Sequence, residues 1–504
     1  MKKTFRHSMT WLHTWTGLLL SWVLFAILIT GTATYFRHEI SRWMMPELAA
    51  AAGKADAKSA ARKALGYLEA NAGDQPNWSI TLPNGRSPMC SVMSWGNGAS
   101  KEAVLNPETG EALKTRETRG GDFFYRFHFE LQLPYPWGRY LAGVAALFMF
   151  VALITGIVAH RQFFKEFFTF RPTRAWLRSC MDFHNVMAVL ALPFYLVISF
   201  SALVIFMRMY LPWPGLIVEK QGEKNPAAAI VQVAGNTTTA APFEKILDSL
   251  QSGTDSPKAS RIFIRDRNKP EAGVQVMFSD AKRLGRSEIR KFSVVTGEEQ
   301  PLTEPVPDGP VGRIYDVLYG VHLAHFANPL TRTAFFVMGL MGAAMTGSGM
   351  VMWTQKRKAA QLKQGKPSFG YQMVDRLNIA GITGFLMAIA VFFWANRLLP
   401  LALDQRETLE VKCFLYAWGV SLLHAWCRPV RKAWIEQLWI NAVLFAGLPV
   451  VDWVMVSPWI KMSLSAGRWL FPIFDAVMVL IGAVFVWTAL KFASQERRNR
   501  LVRS

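Results

Sequence analysis

The chain has 504 residues, of which 51% are hydrophobic, with 19 tryptophans and a formal charge of +21. Length and composition describe a polytopic membrane protein, not a soluble domain or a disordered chain. The positive charge is not gathered into one nucleic-acid-binding domain. It alternates along the chain, which makes it a topology signal and leaves no nucleic-acid partner implied.

Lys2, Lys3 and Arg6 precede a first uncharged run, Gly17–Phe36. That run is too long for a signal-peptide core and passes into Arg37-His38-Glu39, so it reads as a transmembrane helix, not a cleaved leader. Four more uncharged runs follow: Tyr140–Ala159, Asn185–Met207, Thr333–Thr354 and Leu377–Asn396. Each reaches the roughly 20 residues needed to cross a bilayer core of about 30 Å. Three weaker runs, Val411–Cys427, Leu438–Val456 and Trp469–Leu490, carry Lys412, Asp452 and Asp475 and bring the expected total to about eight. Lysines and arginines concentrate in the N-terminus, 161–178, 356–376, 428–432 and 497–503. All of these fall on the inner side if both termini are cytoplasmic.

Two long polar segments interrupt the spans, 37–138 and 208–332, and both are expected outside. Each carries a helix-like stretch (Asp56–Asn71, Pro242–Ser252) followed by strand candidates such as Gly273–Phe278 and Ser287–Val295. Each also has a Thr-Gly-Glu turn after a strand, at Thr109–Glu111 and Thr296–Glu298. Span, small α+β domain and span thus occur twice, as a parallel internal repeat over 1–360. The predicted divisions are a first helix in 1–36, an external domain in 37–138 and two helices with a cytoplasmic loop in 139–207. A second external domain occupies 208–332, a fourth helix lies in 333–360, and a separate four-helix block occupies 375–504.

Nine histidines occur, and four form two repeat-related pairs. His13 and His184 are 171 positions apart, as are Arg37 and Arg208 at the far ends of the same runs. Tyr125-Arg-Phe-His128 matches Tyr319-Gly-Val-His322 at a shift of 194. By the topology above His13 and His184 lie near the inner face, and His128 and His322 near the outer one. A pseudo-twofold axis brings such equivalents together, and paired imidazoles are axial ligands for haem iron. Histidines that merely suit the headgroup zone are the bland alternative; ionisable residues kept twice inside a bundle favour a function. His160 is close in depth to His13 and His184, but its repeat counterpart is Trp353; it is an alternative inner ligand. His325 and His38 align with Leu131 and Met209, and His7 and His424 suit the inner surface.

Other motifs read as packing. The glycines from Gly339 to Gly349 lie within a span, where small residues admit close helix or porphyrin approach. No strand is followed by a dinucleotide-binding glycine motif, so a cytosolic donor would be another molecule. The four cysteines form no CxxC pair, and only Cys90 is expected outside.

The segments Trp11-Leu-His13-Thr-Trp15-Thr-Gly17, Thr155-Gly-Ile-Val-Ala-His160, Asp182-Phe-His184-Asn185 and Leu318-Tyr-Gly-Val-His322, with the two external turns, resemble the PepSY-associated transmembrane-helix family. That family includes haem-containing inner-membrane ferric-siderophore reductases. The resemblance covers about 1–360 and implies PepSY-like external domains, haem b in the bundle (two groups, on His13/His184 and His128/His322) and electron delivery to an external ferric siderophore. The donor would be a quinol or a cytosolic reductant, and membrane lipid the surrounding partner. His160, where many relatives carry tryptophan, and the additional block 375–504 depart from the family pattern. The expected activity is that of a membrane oxidoreductase. The alternative from another class is a non-enzymatic transporter or sensor whose external domains bind a periplasmic ligand or protease.

Overall fold

The computed structural model describes residues 4–51, 56–160, 176–210, 240–249, 258–267, 272–279, 284, 288–294, 296–300, 310–363, 365 and 367–501. Most of the loop 161–178 and the linker after Tyr210, both used above for topology, lie outside them. The chain divides into two units. One comprises 1–45, 117–206 and 330–504, and the other 46–116 and 207–329.

The first unit is helical. Uncharged runs become helices because a backbone in hydrocarbon must satisfy its own N–H and C=O groups. Among the described residues five helices are long and apolar enough to cross a membrane: Trp137–Ala159, Pro329–Lys363, Phe369–Leu398, Val430–Ser465 and Leu470–Ser494. Two further spans are bent pairs, which bring the number to as many as seven. In the first pair α1 (Phe5–Leu19) meets α2 (Ser21–Thr34) at 65°. In the second, Trp176–Leu190 meets Leu192–Tyr210 at 68° over the stretch to Met207. The breaks fall at Leu20 and Ala191, separated by the same 171 positions as His13 and His184. Leu20 leaves the helical region (φ −115°, ψ 16°), and the Ser21 hydroxyl beside it donates to the Leu18 carbonyl, 2.7 Å. At the second break Pro193 contributes no N–H to the ladder. The remaining sequence run, Val411–Cys427, lies in the helix Arg406–Cys427, whose first turns carry Arg406, Glu407, Glu410 and Lys412. That helix is not among those apolar enough to cross by themselves.

The sequence sets 375–504 apart as a separate block, but its core is continuous with the rest of the unit. Phe123, Phe124 and Phe127 of Asp122–Glu130 pack on Phe385, Phe392, Phe393 and Phe414. Buried polar groups close the same seam. Arg397 pairs with Asp452 at 2.7 Å and donates to the Trp43 carbonyl at 2.8 Å. Arg406 pairs with Glu410 and donates to the Glu117 carbonyl, while Thr118 donates to Glu410 at 2.6 Å.

The second unit is an antiparallel sheet with helices on one face. The strands are β1 (Asn77–Thr81), β2 (Cys90–Gly96), β3 (Ala99–Leu105), β4 (Lys258–Arg265), β5 (Gly273–Ser279), β6 (Glu288–Ser293) and β7 (Glu299–Gln300), in the spatial order β3-β2-β1-β4-β5-β6-β7. The sequence assigns one domain to each polar segment. Their strands instead share one sheet, joined where Ile80 pairs with Ile262 across β1 and β4. Trp78, Ile80, Ile262, Ile264, Val274 and Val276 bury one face beneath Ala57–Ala72 and Ala240–Ser249. Those two helices are clamped by a bidentate Arg62–Glu244 pair at 2.6 Å. The Thr-Gly-Glu turns repeat bond for bond. Gly110 N–H donates to Asn106 and Gly297 N–H to Ser293, and Asn106 and Ser293 N–H donate to Glu111 and Glu298. Both glycines have positive φ, 80° and 68°, which is why glycine stands there. Burial pushes the Cys90 thiol up to about 12, so it is an inert core group.

Candidate functional site

His13 lies on α1, and His184 lies on α7 (Trp176–Leu190); the intervening helices are α3 (Arg37–Met44), α4 (Ala57–Ala72), α5 (Asp122–Glu130) and α6 (Trp137–Ala159). The two rings are 6.5 Å apart between centres. His160, which ends α6, is also 6.5 Å from His13. Metal–imidazole bonds of about 2.0–2.1 Å, with just over 1 Å more to each ring centre, place two imidazoles across one iron about 6 Å apart. Either pair has that spacing. Among the described residues no group of three His, Cys, Asp or Glu side chains is arranged to hold a bare metal ion.

What the two repeat-related histidines share is a tether. His13 Nδ1 donates to the Ala152 carbonyl at 2.8 Å, and His184 Nδ1 donates to the Met345 carbonyl at 2.9 Å. A carbonyl only accepts, so each Nδ1 carries the proton and each Nε2 keeps its lone pair. That is the tautomer a metal-binding imidazole needs, held by the kind of outer hydrogen bond that orients it. Four residues beyond each acceptor stands a glycine, Gly156 and Gly349. In a helix residue i+4 lies one turn above carbonyl i, so a side chain there would face the imidazole. A Cβ at Gly156 would come within 3.1 Å of His13, and one at Gly349 within 3.4 Å of His184. The acceptors Ala152 and Met345 are 193 positions apart, as are the glycines, and as are His160 and Trp353.

His128 on α5 has the same arrangement at a second place. Its Nδ1 donates to the Ile27 carbonyl of α2 at 2.9 Å, and Gly31 lies four residues on. A Cβ at Gly31 would fall 2.4 Å from His128 Nδ1. Burial pushes the His128 imidazolium below its ordinary value of 6.5, outweighing the upward pull of the Ile27 carbonyl, so the ring stays neutral near pH 7. His322 ends Pro310–Leu323, a helix of the sheet-bearing unit in which Tyr315 and Tyr319 stack at 6.2 Å. The structure therefore brings His13, His160 and His184 together in one unit, while His128 and His322 belong to different units.

Residues 10–356 match the PepSY-associated TM region. The chain belongs to that family. No curated protein matches it. Within this PepSY-associated TM region lie all five candidate histidines and all three glycine cradles, and the helices after Lys363 extend beyond it. Sequence reasoning missed the cradles, although Leu28-Ile-Thr-Gly31 and Leu153-Ile-Thr-Gly156 repeat the tetrapeptide that builds two of them. In both, the threonine hydroxyl turns back to its own helix, Thr30 to Ala26 and Thr155 to Val151 at 2.7 Å, leaving the glycine face apolar. The tetrapeptide beside a histidine on a neighbouring helix is the signal that could have found them.

Proposed function

We propose that this protein is an electron-carrying oxidoreductase of the bacterial inner membrane that holds two haem b groups and reduces ferric siderophore on the periplasmic side. The observation that carries the reading is the tethered, glycine-cradled pair His13 and His184, with Nε2 of each left as a ligand. His13 and His184 would hold one group and His128 and His322 the other, with His160 the alternative at the first. Bound there, haem supplies a reversible one-electron iron couple. The chain's own residues fix the tautomer of His13, His184 and His128, and His13 and His184 sit on the two bent spans. The lysine and arginine distribution supports cytoplasmic termini with the sheet-bearing segments outside. The substrate logic is chemical: Fe(II) is a softer, less charged ion than Fe(III), and hard oxygen chelators hold it poorly. A quinol or a cytosolic reductant would supply the electrons.

The test is a haem-to-protein ratio on purified protein in detergent, followed by a redox titration. Two haems per chain, low-spin in both oxidation states, are expected. Protein purified from haem-replete cells without a reducible haem spectrum would overturn the reading in favour of a ligand-binding transporter or sensor.

A further inference from the structure

The helices cover one face of the seven-stranded sheet, and the strand registers define the other. Reading across β3-β2-β1-β4-β5-β6, the open face carries three rows. The first is Ser100, Trp95, Asn77, Arg265, Gly273 and Ser293; the second is Glu102, Met93, Ser79, Phe263, Gln275 and Lys291; the third is Val104, Ser91, Thr81, Arg261, Met277 and Ile289. At the centre Phe263 is flanked along its own strand by Arg261 and Arg265, whose guanidinium carbons lie 5.7 and 5.9 Å from the ring centre. Arg261 is steadied by donating to Thr81 at 3.1 Å. On the β1 side the floor is low and polar, because Asn77, Ser79 and Thr81 are the neighbours there, whereas on β5 the triad adjoins Gly273, Gln275 and Met277. Farther out the face is apolar and open, with Met93 41% and Ile289 40% exposed.

Three cations stand on this face against one acid, Glu102. An aromatic ring bracketed by two guanidinia beside a floor of small polar groups is complementary to a flat ring carrying negative oxygens. The ring can stack on Phe263 and on guanidinium planes, while the oxygens take forked N–H donors. We propose that the open face centred on Arg261, Phe263 and Arg265 binds an anionic, aromatic iron chelate of the catecholate class, in preference to an uncharged hydroxamate chelate. The proposal rests on the ferric-siderophore reading above and names the substrate class within it.

The experiment is equilibrium dialysis of the full-length protein in detergent against two radioiron probes, ferric tris-catecholate and ferric acetohydroxamate. Haem absorbance is recorded on the same samples. The catecholate complex is expected to bind at least tenfold more tightly, with affinity falling as salt rises. Arg261→Glu/Arg265→Glu should weaken it at least tenfold, and Phe263→Ala by several-fold. Arg261→Lys/Arg265→Lys, which keeps the charge but loses the planar fork, should bind between the parent and the Glu pair with its salt dependence retained, and shows whether the altered strand still folds. Equal affinity for the two probes, or an unchanged affinity in the Arg→Glu double variant, would overturn the proposal. Loss of the electron-transfer reading would appear separately, as absent haem absorbance with binding intact.

Discussion

Replacing Gly31 with alanine tests whether the cradles place the imidazoles. The new Cβ would lie 2.4 Å from His128 Nδ1 and 2.5 Å from Cε1, against an ordinary contact of about 3.5–4.0 Å. The ring must therefore withdraw by roughly 1 Å. That breaks a 2.9 Å tether to Ile27, and ligand distances in metal sites are held to about ±0.2 Å. Overpacking costs about 1–3 kcal/mol, while removing a glycine from a helix returns about 0.5–1 kcal/mol. Global stability should then change by no more than about 2.5 kcal/mol, the largest difference of those terms, while ligation is lost. Gly156→Ala, at 3.1 and 3.2 Å from His13, asks for a shift of only a few tenths of an ångström. Gly349→Ala, at 3.4 and 3.7 Å from His184, is ordinary contact. Haem content and low-spin absorbance of the three purified variants should thus fall in the order Gly31→Ala, Gly156→Ala, Gly349→Ala, the first losing about half of the haem and the last almost none. Equal losses in all three, or the greatest loss at Gly349, would refute the idea that these glycines set the ligand positions.

Other expectations follow from the same structure. His13→Ala and His184→Ala should each abolish the low-spin signal of one haem, whereas His160→Ala should shift its potential and leave it low-spin. A high-spin signal in His160→Ala, with one of the other two unaffected, would transfer an axial position to His160. In haem-free protein the depressed His128 pKa means that the cradled ring binds a proton less readily than a released one. Its stabilising contribution is complete above about pH 6.5 and is lost as pH falls toward the folded value, so melting temperature should drop more between pH 7.5 and 5.5 in the parent than in His128→Leu. Identical pH slopes would contradict this. Arg397→Met strands a buried Asp452 and should destabilise the detergent-solubilised protein by about 3–5 kcal/mol, and adding Asp452→Leu should restore most of the loss in thermal unfolding. Reporters fused after Pro88 or Lys258 should read as external and those after Lys363 as cytoplasmic, and a cytoplasmic signal from either sheet-bearing segment would overturn the topology.

The helices were legible because their physical cause is local: a run without charge must bond to itself in hydrocarbon. The nearness of His13 and His184 was legible too, since they keep one shift with Arg37 and Arg208. The break at Leu20 was not, because no proline marks it and a single serine hydroxyl accompanies it. Nor was the union of the two polar segments. β1 and β4 each alternate as ordinary half-buried strands, and nothing in either says that its partner lies in the other half of the chain. The continuity of the last helices with the rest of the core escaped for a related reason. Arg397 and Arg406 look like end-of-span cations, and only packing shows them buried against Trp43 and Glu117 carbonyls.

The joined sheet has a consequence for biosynthesis. Thr81 and its partner Arg261 are 180 residues apart, and two candidate spans, Trp137–Ala159 and the bent pair from Trp176, lie between them in the chain. The β1 edge must wait through the insertion of those helices with its N–H and C=O groups unmatched, a template for pairing with a wrong strand. The strands of the first polar segment are therefore not a complete sheet, and a chain arrested before β4 would present an unpaired strand to whatever quality-control machinery attends newly made proteins. The strands of each segment stay together, β3-β2-β1 beside β4-β5-β6-β7, so the single β1–β4 seam is what makes each segment's sheet depend on the other.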